Sequence, residues 1–212
     1  MTASFGGVLL GLLLGLRHAF EPDHLTAVST LVVESRDPWR GVRLGAIWGL
    51  GHTLSLAIVG CLLLATGRVL PARAAAGFEL VVAAMLIVLG VRAVHHAFAS
   101  AREHRHADGT VHSHGHRFGG RPLIVGLIHG LAGSGAITAL VFAELPTMAS
   151  RLGYIVLFGL GSSAGMAIAS GLAGATLHRL AGGAGRRSAL AVGAGLVSIT
   201  LGVVWAIPQI FP

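Results

Sequence analysis

The chain has 212 residues, 54% of them hydrophobic and only 11% charged, against about a quarter charged in ordinary soluble domains. Its net charge of +7 rests on fifteen arginines and no lysine. The arginines are scattered among short connectors instead of forming one basic face, which argues against a nucleic-acid partner, and so apolar a chain has too little polar surface to face water.

A bilayer core of about 30 Å needs about 20 apolar residues per helix. Six segments meet this, at 4–33, 42–66, 74–94, 122–143, 152–177 and 188–207. The fold class is therefore an all-α integral membrane protein with six transmembrane helices. The first segment lacks a basic leader and stays apolar past any cleavage site, so it reads as a span and not as a signal peptide. Cys61, the one cysteine, lies inside the second span, which excludes a disulfide framework and a cysteine metal site.

The first, third and fifth connectors, with Arg92 beside them, carry eleven arginines, and the second and fourth carry Arg68, Arg73 and Arg151. Positive charge collects on the cytoplasmic side. The odd connectors are thus placed in the cytoplasm, and both termini outside, in a multi-pass protein of the cytoplasmic membrane.

The first span contains "GLRHAFEPDH", residues 15–24, the densest polar cluster inside apolar sequence. In an unbroken helix Asp23 would lie about 140° round from His18, and His24 about 240°. Pro22 removes a backbone donor and clashes with the preceding turn, so a break there folds the three side chains towards one cavity. Arg17, Glu21 and Asp23 would each cost about 3 kcal/mol at a helix centre, a cost that pairing of Arg17 with Glu21 would relieve in part. Such expense points to a ligand site, with an ion-pair cluster of purely structural role as the competing reading.

His52 in the second span lies within "GLGHTLSL", where Gly49 and Gly51 permit close helix approach to the first span. Neutral imidazoles beside carboxylates form a borderline N/O set suited to divalent Ni, Co, Zn, Mn or Fe.

Short matches recur further along. Gly15-Leu16-Arg17-His18 matches Gly126-Leu127-Ile128-His129; Gly49-Leu50-Gly51 matches Gly159-Leu160-Gly161; Leu89-Gly90-Val91 matches Leu201-Gly202-Val203. The offsets are 110 to 112 throughout, which predicts a duplicated three-helix unit. Three spans is an odd number, so the second copy enters the membrane from the opposite side. Two inverted repeats place a transporter's substrate site at their interface near the midplane. The units are residues 1–98 and 122–212, joined by a connector at 99–121. The first helix of each is predicted to be interrupted, at 18–24 and at 129–135, where Gly130, Gly133 and Gly135 permit a break.

The motifs "RHAFEPDHL" and "LGHT" resemble the H-A-x-D-A-D-H and L-G-H-S/T segments of the nickel/cobalt transporter superfamily. The short branch of that superfamily includes urease-accessory permeases and nickel/cobalt exporters. The resemblance covers about fifteen residues. It implies that His18, Asp23, His24 and His52 form a metal site, with Glu21 standing where the family has Asp and Pro22 where it has Ala. It also implies Ni²⁺ or Co²⁺ as transported substrate, with no tightly bound cofactor. In the second half His129 matches His18, Ser134 matches Asp23, and Thr138 follows a turn later. For His129 a ligand role and a structural role both stand.

Residues 95–116 read "HHAFASAREHRHADGTVHSHGH", with seven of the twelve histidines. The stretch lacks apolar periodicity and is expected to be largely disordered. His104, His106, His112, His114 and His116 are expected to collect a divalent ion loosely.

The leading functional reading is a secondary metal transporter whose partners are a divalent ion and the lipid bilayer; a metallochaperone and a second copy of the chain are compatible partners. The chain carries no P-loop, and it is read as a transporter, not an enzyme. An intramembrane metalloenzyme is the alternative, although H-E-x-x-H and a carboxylate-rich di-iron set are both missing from the sequence. A membrane accessory factor for metalloenzyme maturation, without transport of its own, is another.

Overall fold

The computed structural model describes residues 2–32, 38–103, 121–180 and 182–211, with side chains described for 6–32, 39–99, 121–132, 145–180, 182–183 and 185–211. Among the described residues the regular structure is entirely helical: α1 (Thr2–His18), α2 (Pro22–Val32), α3 (Pro38–Thr66), α4 (Ala72–Glu103), α5 (Arg121–Glu144), α6 (Met148–Leu180) and α7 (Ala184–Ile210). Stretches of α3, α4, α6 and α7 are long and apolar enough to cross a membrane. On α3, Leu50, Leu54, Ile58 and Leu62 form an exposed stripe at four-residue spacing, and on α6 Val156, Leu160, Ile168 and Leu172 are exposed at spacings of four or eight. Apolar side chains on the outside at helical spacing suit a lipid environment. The protein is a multi-pass membrane protein.

The predicted break in the first span is present. α1 stops at His18, Phe20 and Glu21 donate their amides to the carbonyls of Arg17 and His18 at 2.9 and 3.0 Å, and α2 starts at Pro22. Proline suits the first helical position because its missing N–H is unneeded there. Asp23 then falls in the first turn of α2, where the helix dipole favours a negative charge.

The predicted break at 129–135 is not present: α5 is continuous from Arg121 to Glu144. Glycine weakens a helix by about 1 kcal/mol per residue but keeps its amide donor, and no proline follows Pro122 in this stretch. α4 also runs nine residues beyond the predicted end at 94 and takes in His95 and His96. "ARE" and its alanines are strong helix formers, so this part of the histidine-rich stretch is helical, contrary to the disorder expected of it. His104, His106, His112, His114 and His116 lie outside the described residues, as do the side chains of Ser134 and Thr138.

The helices pack in related pairs: α1 on α6 and α3 on α5, with α3 against α6 and α4 against α7. The relation extends to single atoms. A Cβ on Gly15 would overlap the Phe158 carbonyl and crowd the Ser162 amide; a Cβ on Gly126 would overlap the Trp48 carbonyl and crowd the His52 amide. Each member of the second set lies 110 or 111 positions from its counterpart in the first. Gly90 meets Gly195 and Ile199 as Gly202 meets Ala83 and Ile87, at an offset of 112. Thr53 bonds its own counterpart, Ser163, hydroxyl to hydroxyl at 2.9 Å. The two halves thus touch at equivalent positions beside His52. That residue is also the midpoint of α3, fourteen residues from each end.

Candidate metal centre

Four helices deliver the polar residues to one buried place. His18 is the last residue of α1, Asp23 and His24 lie in the first turn of α2, His52 in mid α3 and His129 in α5. His24 and His129 are 1% exposed, His52 is fully buried and Asp23 is 7% exposed. The ring of His24 is central: its centroid lies 4.4 Å from His18, 5.3 Å from His52 and 4.1 Å from His129. The break before Pro22 makes this possible, since it turns His24 back over the end of α1.

The hydrogen bonds are unequal across the cluster. His24 Nδ1 donates to Asp23 Oδ1 at 3.0 Å, and His129 Nε2 donates to Asp23 Oδ2 at 2.8 Å. His18 Nδ1 lies 2.9 Å from Glu21 Oε2. Glu21 therefore pairs with His18, three residues before it, and not with Arg17 as the four-residue spacing suggested. Where the helix ends the i, i+4 relation ends too, and Arg17 faces outward, exposed.

The remaining nitrogens have no such partners. His18 Nε2, His24 Nε2, both nitrogens of His52 and His129 Nδ1 are buried without a hydrogen bond. A buried polar atom left unbonded costs about 1–3 kcal/mol, so five of them together need a purpose beyond packing. A ring whose Nδ1–H is held by a carboxylate presents a lone pair at Nε2, the arrangement found in metal-ligating histidines.

Two groups have ligand atoms mutually within 4.8 Å: His18, His24 and His52, and Asp23, His24 and His129. Of the residues singled out from sequence, His18, Asp23, His24, His52 and His129 converge. Glu21 stands at the edge, its side chain half exposed. His129, whose role was open, is joined to the first half through Asp23.

Trp48 is the residue that sequence reasoning missed. It is fully buried, its ring centred 5.5 Å from His24 and 5.6 Å from His129, and its Nε1 has no hydrogen-bond partner. Its signal was its place one helical turn before His52. Phe158, its counterpart in the second half, stands 5.4 Å from His18, so an aromatic ring backs the histidine of each half.

No family model and no solved structure matches the chain. Among known proteins it is similar to the urease accessory protein UreH of Bacillus sp. (strain TB-90), with 35% identity over 162 residues that cover 74% of this chain and 71% of that protein.

Proposed function

The chain belongs to the family of the urease accessory protein UreH, within the nickel/cobalt transporter superfamily that its motifs resemble, and we propose that it is a secondary transporter of divalent transition-metal ions with Ni²⁺ or Co²⁺ as substrate. The observation that carries this reading is the convergence of four imidazoles, three of them buried, with five unpartnered buried nitrogens, at the mid-height of α3. A cation entering there meets nitrogen donors of the borderline class that suits Ni²⁺ and Co²⁺, beside one buried carboxylate whose charge offsets part of its own.

In this reading His18, His24 and His52 hold the ion through their free nitrogens. Glu21 and Asp23 act one layer out by fixing the rings, in place of the direct ligand role that the motif implies for Asp23. His129 is the point of contact with the second half. The rings bind an ion only when neutral, so protons compete with it for the site, and a proton gradient is a suitable source of energy.

The architecture that fits is six spans, with α1 and α2 forming one broken span, in two inverted three-helix units at 1–98 and 122–212. The recurrence of Gly15, Gly51 and Gly90 contacts at Gly126, Gly161 and Gly202 supports it. Rocking of one unit against the other about Thr53 and Ser163 would expose the site to each side in turn. The connector at 99–121 would lie in the cytoplasm, its histidines gathering or receiving the ion, with Ser134 and Thr138 on the pathway. The membrane is the cytoplasmic membrane.

A membrane accessory factor without transport of its own is the second reading, favoured by the name of the relative. That name also weighs against an intramembrane metalloenzyme. Metal content of cells expressing the protein, compared with His24→Ala, tests the proposal with Ni, Co, Zn and Mn each at trace level. A change in nickel or cobalt that His24→Ala abolishes is expected, its sign giving the direction of transport. Metal content and tolerance independent of His24 would sink the transporter reading.

A further inference from the structure

We propose that the ion has two positions in the histidine cluster and occupies them in turn: His18, His24 and His52 hold it in one, and Asp23, His24 and His129 in the other. The inference rests on the transporter reading above and adds the route that the ion takes through the site. The ligand atoms of each set lie within 4.8 Å of one another. Two donors each about 2.1 Å from an ion stand up to about 4.2 Å apart, so a small inward movement of the side chains closes either set.

His24 belongs to both sets and has a nitrogen for each. Its Nε2 is buried without a partner, like Nε2 of His18 and both nitrogens of His52. Its Nδ1 lies 3.0 Å from Asp23 Oδ1, and Asp23 Oδ2 lies 2.8 Å from His129 Nε2. A neutral imidazole presents a lone pair at either nitrogen, with its proton on the other. Two ions at once would set four positive charges against one buried carboxylate, an expensive arrangement at low dielectric, so the sets alternate.

The sets differ in the two respects that a passage requires. The first draws only on α1, α2 and α3, whereas the second takes His129 from α5, the first helix of the second repeat. Movement of one repeat against the other therefore makes and breaks the second set and leaves the first intact. The first set is also the more open: His18 is partly exposed, with half-exposed Glu21 at 2.9 Å, while all three members of the second set are buried. An ion that moves inward gives up water, and a carboxylate ligand there offsets part of its charge. The second repeat has no such set of its own, since Gly135 and Ser162 stand at the positions equivalent to His24 and His52.

The test takes the purified full chain in neutral detergent with Co²⁺ alone, counts bound cobalt per chain and reads its donors by X-ray absorption, alongside cobalt uptake by proteoliposomes. His129→Gln keeps an N–H donor for Asp23 but gives up the second set. His52→Gln gives up the first set and touches no hydrogen bond, so it decides the matter alone should His129→Gln not fold. The wild type and both variants should each bind one cobalt. Its donors should include three imidazoles in His129→Gln, and two imidazoles with a carboxylate in His52→Gln. Both variants should nevertheless lose transport. Cobalt lost from either folded variant, two ions on the wild type, or transport kept by His129→Gln overturns the proposal. A wild type that moves no cobalt, while the variants show the two donor sets, sinks the transporter reading and leaves the two positions standing.

Discussion

Asp23 on α2 ties the two halves of the molecule together: its Oδ2 accepts from Nε2 of His129 at 2.8 Å, across 106 positions of sequence, while Oδ1 accepts from the neighbouring His24 at 3.0 Å. One carboxylate thus sets the orientation of two rings. Asp23→Asn keeps the size of the side chain but can present only one carbonyl acceptor, with its NH₂ turned towards the other ring. Loss of such a supporting partner typically weakens metal binding about 10–100-fold. Isothermal titration of purified Asp23→Asn with Ni²⁺ or Co²⁺ should show a fall in that range while the protein remains folded.

His52 gives the cleanest separation of function from stability. Neither of its nitrogens has a hydrogen-bond partner, so its removal orphans no other group. His52→Gln should leave thermal unfolding of the detergent-solubilised protein within about 1 kcal/mol of wild type, since no buried partner loses its bond. Metal transport should fall by at least about tenfold in the same variant. A large loss of stability with transport retained would assign His52 to structure alone.

The helix contacts at Gly15 and Gly126 leave no room for a side chain. A Cβ at either position meets a backbone carbonyl of the facing helix, which no rotamer change can move aside. Gly15→Val should cost about 3 kcal/mol or more by overpacking and appear as loss of folded protein in size-exclusion chromatography. Gly77→Ala is the control: a Cβ there has nothing within 4 Å, and helix propensity alone makes the change neutral or slightly stabilising.

Metal affinity should fall as pH falls. The proposed donors are imidazoles, which bind metal only when neutral, and protons compete for the same lone pairs. Titrations over a descending pH series should show the apparent affinity dropping as protons compete for the rings. An affinity flat down to the pH at which the protein unfolds would point away from histidine as the donor.

Much of the site was legible in the chain itself. Pro22 marked the break, and the break required His18, Asp23 and His24 to gather, because no unbroken helix brings positions five and six residues apart onto one face. The matched break at 129–135 was misread, because glycine permits an irregular backbone where proline enforces one. The partner of Glu21 was not legible: whether it meets Arg17 or His18 depends on where the helix stops to within one residue.

The sequence by itself determined the solvent of this protein and the location of its chemistry. Apolar composition at spans of helical length leaves few places where so many polar groups are tolerated, and one of them is 15–24. Only the tertiary structure decided which groups meet. His129 lies more than a hundred residues from Asp23 and joins it because α5 packs on α3 through the glycine contacts of Gly51, Gly126 and Gly130. The carboxylates reach the rings and leave the free nitrogens facing one another, a result of side-chain direction across four helices. Spacing along a chain reports which residues share a helix face; it does not report which faces of separate helices close on one another.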